Sequence, residues 1–382
     1  MRIVLIITDY GSFNNFLGDL SIRLLEKGNK VDVFTSKEKV INIADKYNYI
    51  NLGINFHFIN FPRSFNLWSH YKVSKEIQRK LFIIDPDIVS IHFTTAIFST
   101  LLAGRLPFKT IGAFHGLGYP VIKNLIKKKV FKFVEIFSSC KLDEIWLLNN
   151  LDYSLLKPKF KEKVFLLPTK GLGCNIDTFD IDNYSLEVIN DLKVNLGIQQ
   201  NDFVIAFTGR FVHFKGFNTV VRAFRKLEVI NPAQKLKLIT MGGFDKIHPT
   251  GLSKEEENYF KNAVNIINIG FTKDVADYLA ISDLFVFPSQ KEGIPVCIIE
   301  ALAMGLPVIA SDARGCNDLV INNKTGFLLD KDATSKEYSD KIRIMIENKS
   351  ILKKFKKNIE KERLSLDRNN FISHQLKFFS EN

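Results

Sequence analysis

Cysteine is scarce in this chain of 382 residues, and its four cysteines are widely separated. They form no Cys-x-x-Cys pair and no Cys/His cluster at zinc spacing, which argues against a disulfide framework or a structural zinc site. Two common phosphate-binding patterns are also missing. GxGxxG does not follow the first apolar run, and GxxxxGK[ST] is absent. The chain therefore has neither a dinucleotide fingerprint at that position nor a P-loop.

Long hydrophobic runs are absent too. No run approaches the roughly 20 apolar residues that span a bilayer. Residues 1–9 become polar too soon for a signal peptide and are typical of a buried strand. The sequence therefore predicts a cytoplasmic protein.

Acidic residues are outnumbered by basic ones. The chain has 53 Lys and Arg against 41 Asp and Glu, a formal net charge of +12. An excess of positive charge favours nucleic acid, an anionic membrane face or anionic small substrates. No aromatic and basic motif for RNA or DNA is present, so nucleic acid is not an expected partner.

Short apolar runs alternate with amphipathic stretches in both halves, which predicts βαβ units and parallel sheets. We expect an α/β fold with two Rossmann-like, doubly wound domains that face each other across a cleft. The predicted strands are residues 3–7, 30–34, 88–92, 110–114, 144–148, 164–167, 203–207, 236–241, 266–269, 284–287 and 307–310. The predicted helices are residues 15–27, 67–82, 216–227, 272–280, 295–304, 335–347 and 368–379, with a Lys-rich helix at 351–363.

The segment 168–202 interrupts this alternation with Pro168, several glycines and a polar stretch. We therefore place the connection between domains there. The expected domains are residues 1–172 and 173–365, and the C-terminal helix 366–382 is expected to pack back on the first. In parallel sheets ligands bind beyond the carboxyl ends of the strands, so polar residues that follow the strands are the candidates for a site.

Residues 288–308 predict a strand, a tight loop with Glu292 and Gly293, and a helix that starts near Pro295. The start of such a helix can hold a phosphate or sugar hydroxyls, and a carboxylate can accept two hydrogen bonds from a diol. Glu292 and Glu300 are suited to that role. On spacing alone, an ordinary turn with solvated carboxylates is an equally good interpretation.

Residues 209–216 also follow a predicted strand and lead into a predicted helix. Arg210 and Lys215 lie in this loop, where two cations could neutralise a diphosphate. Taken alone, a surface loop with two basic residues explains the segment equally well.

Together these two segments resemble family 4 of the glycosyltransferases, retaining enzymes of GT-B architecture with a Glu-x7-Glu signature. Glu292 and Glu300 match that signature, and Gly209, Arg210, Lys215 and Gly216 match a second pattern of the family. Further matches lie at residues 241–243, 269–270, 282–289 and 323–327. The resemblance is strong over about residues 203–345 and weaker but collinear before them.

The resemblance implies a nucleotide-sugar donor held mainly by the second domain. In this interpretation Arg210 and Lys215 contact the diphosphate, Glu300 holds the ribose and Glu292 contacts the sugar. His115 matches a histidine near the reacting sugar, and we expect it to be catalytic together with Arg210, Lys215 and Glu292. The remaining expected contacts are Gly11, Gly209, Gly270, Phe271, Gly293 and Ile294 on the sugar-donor side and His92 on the acceptor side.

The expected function is a retaining hexosyl or N-acetylhexosaminyl transfer from a nucleotide-diphosphate sugar, with UDP favoured, to a hydroxyl acceptor. No cofactor or metal is expected, since no Asp-x-Asp motif ends a predicted strand and cationic side chains can neutralise the leaving group. A lipid-linked saccharide acceptor and a peripheral site on the inner membrane face are expected. Residues 123–134, which interleave lysines with large apolar residues, suit membrane contact and a solvated helix equally well.

Two other functions remain open at this stage. A nucleotide-sugar epimerase of GT-B fold would need no acceptor, and an inactive subunit would bind the nucleotide sugar without turnover.

Overall fold

The computed structural model describes residues 1–37, 47–230 and 235–381. The chain divides into two compact α/β units. The first unit comprises Met1–Pro168 with Asn370–Asn382, and the second comprises Thr169–Asn369. The division after Pro168 lies four residues before the expected one. No helix in the described part of the chain is both long and apolar enough to span a bilayer.

The first unit contains seven strands and seven helices within the described residues. Its strands are β1 (Arg2–Ile6), β2 (Lys30–Thr35), β3 (Asn55–Phe58), β4 (Ile88–His92), β5 (Lys109–Phe114), β6 (Glu144–Leu147) and β7 (Val164–Leu166). Its helices are α1 (Tyr10–Phe16), α2 (Gly18–Glu26), α3 (Leu67–Ile84), α4 (Thr94–Leu101), α5 (Leu125–Lys141), α6 (Asn150–Phe160) and, at the C-terminus, α14 (Arg368–Glu381).

The second unit contains six strands and seven helices within the described residues. Its strands are β8 (Phe203–Thr208), β9 (Leu236–Met241), β10 (Ile266–Gly270), β11 (Leu284–Phe287), β12 (Val308–Asp312) and β13 (Gly326–Asp330). Its helices are α7 (Leu186–Asn195), α8 (Phe217–Ile230), α9 (Lys254–Asn262), α10 (Val275–Ala280), α11 (Val296–Ala303), α12 (Ser335–Glu347) and α13 (Lys349–Glu362).

Both sheets are parallel throughout. The strand order is β3-β2-β1-β4-β5-β6-β7 in the first unit and β10-β9-β8-β11-β12-β13 in the second. The central strands are buried on both faces, as their continuous apolar sequences predict. The order of the strands reverses between β1 and β4 in one sheet and between β8 and β11 in the other. Such switch points open a crevice for ligands at the carboxyl ends of the strands.

The start of the chain differs from the sequence-based prediction. Residues 15–27 were expected to form one helix, but two helices cover residues 10–26, because Asp9 caps a helix at an earlier point. Its Oδ1 accepts the backbone N–H of Ser12 at 2.9 Å. Gly11 therefore lies in the first turn of α1 rather than in a loop.

The expected connection 168–202 contains α7, which begins at the side-chain cap of Ser185. Two short strands were not expected from the sequence. The half-exposed β3 lies at a sheet edge, and β13 follows a turn in which Asn323 has a φ of +61°. Their few residues give too weak an alternation to be recognised in the sequence.

Candidate active site

The two loops singled out in the second unit are brought together at its switch point. Residues 209–216 follow β8, and residues 288–295 follow the neighbouring strand β11. Gly216 has a φ of +76°, and a Cβ on it would collide with the carbonyl oxygen of Pro288. The backbone N–H of Gln290 donates to the carbonyl oxygen of Phe214 at 3.0 Å. The fold thus fixes one loop against the other.

Lys215 and Glu292 form an ion pair across these loops. The Lys215 Nζ lies 2.6 Å from the Glu292 Oε1, and that oxygen also accepts the Ser289 hydroxyl at 2.5 Å. Glu292 is only 9% exposed. The buried Arg314 donates from Nε to the backbone carbonyl of Glu292 at 2.6 Å. Ser289 and Arg314, which the sequence did not identify as site residues, therefore hold the acidic turn in position.

Arg210 lies in the same loop as Lys215 but has a different partner. Its Nη1 lies 2.5 Å from the Asp245 Oδ2, in the loop that follows β9, and the Arg210 side chain is 52% exposed. The pKa of Asp245 lies well below its usual range, first because the backbone N–H of Ile247 donates to its carboxylate and also because Arg210 does. Each of the two predicted phosphate-binding cations is thus held by its own carboxylate.

Glu300 lies inside α11, eight residues after Glu292 in the sequence. Burial raises the pKa of its carboxyl to about 7, and the nearby charge of Arg368 opposes that rise. Within residues 1–37, 47–230 and 235–381, no hydrogen bond to this carboxylate is present. Its oxygens are therefore able to accept hydrogen bonds from a ligand.

Backbone hydrogen bonds of glycines connect the loops that follow β8 and β9 to the ends of the neighbouring strands β9 and β10. Gly209 has a φ of +150°, and its N–H donates to the carbonyl of Met241 at 2.9 Å. The N–H of Gly242 donates to the carbonyl of Gly270 at 2.8 Å, and the neighbouring Phe271 is 86% exposed.

The remaining sugar-donor candidates, Gly293 and Ile294, lie in the loop that follows β11. A Cβ on Gly315 would collide with the carbonyl oxygen of Gly293, and Ile294 packs against Gly171. The sugar-donor residues expected in the second unit therefore all lie at the carboxyl ends of its strands or in α11.

The first unit brings His92 and His115 into direct contact at the ends of β4 and β5. The His92 Nδ1 lies 3.0 Å from the His115 Nε2, and the His92 Nε2 lies 3.1 Å from the Ser90 hydroxyl. Burial lowers the pKa of His115 to about 4 and that of His92 well below its usual range. Both rings are therefore neutral near pH 7, and one of them donates the shared proton to the other.

Two buried carboxylates hold the turn that carries His115. The Glu135 Oε1 accepts the N–H of Gly118 at 2.7 Å and the hydroxyl of Thr94 at 2.7 Å, and the Asp152 Oδ2 accepts the N–H of Leu117 at 2.8 Å. Burial raises the pKa of Glu135, and these hydrogen bonds oppose the rise. Neither carboxylate was predicted from the sequence as a site residue, although Glu135 directly follows the basic segment 123–134.

Metal-ligand geometry is absent from the described residues, in which no group of three or more His, Cys, Asp or Glu side chains could hold an ion. The four cysteines, all within the described ranges, are free thiols.

Two family models match this chain. Residues 188–362, in the second unit, match the model of Glycosyl transferases group 1, and residues 14–145, in the first unit, match that of Glycosyltransferase Family 4. Together the two regions span most of the chain. Both units of the chain thus resemble glycosyltransferases of family 4. The family expected from Glu292, Glu300 and the loop 209–216 is thereby confirmed.

Proteins of similar sequence are glycosyltransferases. The chain is 26% identical over 241 residues to the capsular polysaccharide biosynthesis glycosyltransferase CapM of Staphylococcus aureus, covering 62% of this chain and 60% of that protein. It is 27% identical over 256 residues to the UDP-Gal:alpha-D-GlcNAc-diphosphoundecaprenol alpha-1,3-galactosyltransferase of Escherichia coli, covering 64% and 62%. The chain thus matches less than two thirds of the length of either relative.

The fold is that of GT-B glycosyltransferases, as expected from the sequence. The crystal structure of the Anabaena protein HepE in complex with UDP-glucose superposes with a TM-score of 0.75 at 16% identity, covering all of both chains.

Proposed function

We propose that this chain is a retaining glycosyltransferase that moves a sugar from a UDP-sugar to a hydroxyl of a lipid-linked saccharide. The observation that carries the proposal is the Lys215–Glu292 pair at the switch point of the second sheet, in which Glu292 lies in the loop that leads into α11. A cation, an acidic turn and a helix start in one place suit a diphosphate that bears a sugar.

Charge on the leaving diphosphate is neutralised in this proposal by Lys215, Arg210 and the start of α11. Pro295 caps that helix without a side-chain hydrogen bond, so the positive end of the helix dipole faces the loop. These groups matter most in the transition state, because the diphosphate gains charge as the sugar leaves. Side-chain cations can do this without a metal, and we therefore expect turnover to persist in EDTA.

The anomeric configuration of the sugar is retained because the bond breaks and the new bond forms on the same face of the sugar. The bond between the anomeric carbon and the diphosphate oxygen breaks, and a bond from that carbon to the acceptor oxygen forms on the same side. The acceptor proton passes to an oxygen of the departing diphosphate, which leaves as the nucleoside diphosphate. No strong side-chain base is needed, which is consistent with the neutral His92–His115 pair.

The sugar and the ribose of the donor are also assigned to particular residues in this proposal. Glu292 contacts the sugar beside the backbone of Gly293 and Ile294, and Glu300 accepts hydrogen bonds from the ribose hydroxyls. The partly buried carboxylate of Glu300, which accepts no hydrogen bond from the described residues, supports its part in this scheme. His115 lies near the reacting sugar and His92 on the acceptor side.

A lipid-linked acceptor is supported by the E. coli relative, whose name specifies an undecaprenol-linked substrate. It is also supported by α5, on which Leu125, Ile126 and Phe133 are exposed among several lysines. Such a face can lie on an anionic membrane. We therefore propose that the protein works at the inner face of the cell membrane.

The test is a panel of UDP- and GDP-sugars with membrane lipid extract as acceptor. The expected result is acceptor-dependent release of UDP and an α-linked product, established by NMR of the anomeric proton. Conversion of the nucleotide sugar without acceptor would identify an epimerase instead. Binding without turnover on any acceptor would identify an inactive subunit.

A further inference from the structure

Lys291 lies in the loop between β11 and α11 and was not predicted from the sequence as a site residue. It directly precedes Glu292, whose carboxylate pairs with Lys215. Lys291 is half-buried, and its Nζ lies 5.6 Å from the centroid of the Phe214 ring. The face of an aromatic ring attracts a cation, so the Lys291 ammonium group is held beside the loop 209–216 instead of extending into water.

The Phe214 ring also contacts Arg210, whose Cζ lies 5.4 Å from the ring centroid. The backbone of Phe214 is fixed to the second loop by the N–H of Gln290, which donates to the Phe214 carbonyl oxygen. Two cations from two loops therefore lie against one ring. Together with Lys215, they form a group of three positively charged side chains in the loops that follow β8 and β11.

Lys291 differs from the other two cations because no carboxylate pairs with it. Asp245 forms an ion pair with Arg210. Glu292 does the same with Lys215. Among the residues that the structure describes, the Lys291 ammonium group forms no ion pair and no hydrogen bond. The charges within each ion pair largely cancel, so Lys291 supplies the positive charge that remains available to an anion.

A diphosphate fits this arrangement better than a single phosphate does. Each of its phosphates is an anion, and an ion-paired cation shares its charge between its carboxylate and an incoming phosphate. Lys291 has no such competition, and its ammonium group offers three N–H donors and no acceptor. In the proposed function Glu292 contacts the sugar, so its sequence neighbour Lys291 belongs with the phosphate that bears the sugar.

We propose that Lys291 binds the sugar-bearing phosphate of the nucleotide-sugar donor. The assignment rests on the proposed function and adds a third cation to its phosphate-binding groups. Lys291 then makes the site specific for nucleoside diphosphates over monophosphates. It also stabilises the charge that this phosphate gains as its bond to the anomeric carbon breaks and the phosphate oxygen keeps the electron pair.

The test measures binding of UDP and UMP to the full chain by calorimetry, with GDP and GMP measured in the same way. Lys291→Gln should weaken UDP binding about tenfold or more, as loss of a hydrogen bond to a charged group does. UMP binding should stay unchanged, because UMP lacks the second phosphate. Lys291→Arg keeps the charge and should restore most of the affinity for UDP.

Two further variants separate the charge of Lys291 from its packing. Lys291→Met keeps an apolar stem against Phe214 and should lose UDP affinity as Lys291→Gln does. Lys226→Gln, at an exposed position of α8, is the matched control and should leave UDP and UMP binding unchanged. Unchanged UDP affinity in Lys291→Gln or Lys291→Met, or equal losses of UDP and UMP affinity, would overturn the assignment.

The proposed function is decided by a different measurement, the acceptor-dependent transfer of sugar by the parent chain. If Lys291→Gln weakens UDP alone but the parent transfers no sugar to any acceptor, the transferase proposal is wrong and the assignment of Lys291 stands. If the parent transfers sugar and Lys291→Gln binds UDP normally, only the assignment is wrong. A parent that binds GDP instead of UDP moves the comparison to GDP and GMP, and one that binds neither overturns both proposals.

Discussion

At the scale of single residues, Lys215 and Glu292 form an ion pair in which both side chains are mostly shielded from water. The pair is joined by the Ser289 hydroxyl, so Glu292 keeps one hydrogen bond if Lys215 is lost. Removing one partner of a partly buried pair leaves the other charge uncompensated, and such changes affect both stability and function.

Lys215→Ala should lower kcat by about 100- to 1,000-fold, the loss typical of removing one group that stabilises developing negative charge. The physical reason is that Lys215 stabilises the departing diphosphate more strongly than the bound substrate. Steady-state kinetics with UDP-sugar and acceptor would measure the change.

Lys261→Ala, at an exposed position of α9, is the matched control and should leave kcat unchanged. The melting temperature of both variants is measured to confirm that they fold. A folded Lys215→Ala protein with the kcat of the parent would remove Lys215 from the proposed mechanism.

We expect the affinity for the sugar donor to depend on pH because of Glu300. Its native pKa of about 7 lies above the ordinary value of 4.5, so the carboxyl is protonated in part at neutral pH. Ribose hydroxyls that donate to it favour the carboxylate and lower its pKa, and by linkage the affinity for UDP-glucose should rise as the pH rises through about 7. Calorimetry between pH 6 and pH 8.5 would measure this trend, because the diphosphate of UDP-glucose does not titrate there.

Glu300→Gln should bind UDP-glucose more weakly above pH 7 and lose the pH trend. The same substitution has an opposite effect on folding. A carboxyl with a raised native pKa loses stability as the pH rises from about 4.5 through 7, so the Gln variant should be the more stable form above pH 7, by at most about 3 kcal/mol. An unchanged affinity in the variant would contradict the ribose assignment.

At the scale of elements, side chains of three helices hold the turn between β5 and α5 in position. Glu135 of α5 and Asp152 of α6 accept backbone N–H groups of residues 117–119, and Thr94 at the start of α4 shares Glu135. The position of His115 therefore depends on three helices rather than on its own loop.

Glu135→Gln should loosen this turn, because an amide places an N–H where the carboxylate accepted one, and an unsatisfied buried group costs about 1–3 kcal/mol. Amide hydrogen exchange of Gly118 and Tyr119 should become faster. The kcat should fall while the Kd for UDP-glucose stays constant, since the side chains proposed to hold the diphosphate and the ribose lie in the second unit.

The control for that experiment is Glu76→Gln on α3, whose partly exposed carboxylate forms an ion pair with Lys80. It should change neither exchange nor kcat. Equal exchange rates in Glu135→Gln and the parent would mean that Glu135 does not position the turn.

At the scale of the whole molecule, the chain ends by returning to its first unit. The ring of Phe378 in α14 lies 4.8 Å from the buried Trp146 of β6, and Lys109 of β5 lies over the same Phe378 ring. The first sheet thus depends on residues that are more than 200 positions away in the sequence.

Truncation after Asn369 should lower the melting temperature of the first unit and shift the emission of Trp146 to longer wavelength. Deleting a buried aromatic contact costs about 3–5 kcal/mol in cores, which sets the expected loss. The measurement is made in a Trp68→Phe background, because the other tryptophan, Trp68, is exposed. The full-length Trp68→Phe protein is the control, and identical emission in the two forms would contradict the role of α14.

Much of the fold could be predicted from the sequence. Four strand or helix ranges, 88–92, 236–241, 284–287 and 335–347, were predicted as the structure has them. Buried parallel strands and capped amphipathic helices leave strong local patterns, which is why they are readable. The edge strand β3, the short β13 and the earlier start of α1 were missed, because a sheet edge and a single cap at Asp9 leave little local signal.

The sequence by itself determined the βαβ alternation, the family signature and the identity of Lys215, Glu292 and Glu300 as candidates, because these depend on residue type and spacing along the chain. Only the tertiary structure decided that Lys215 pairs with Glu292 while Arg210 pairs with Asp245. It also decided that His92 hydrogen-bonds His115 and that the buried Glu135 holds the turn after His115. The physical reason is that strand order determines which loops become neighbours, and strand order is set by packing between segments far apart in the sequence.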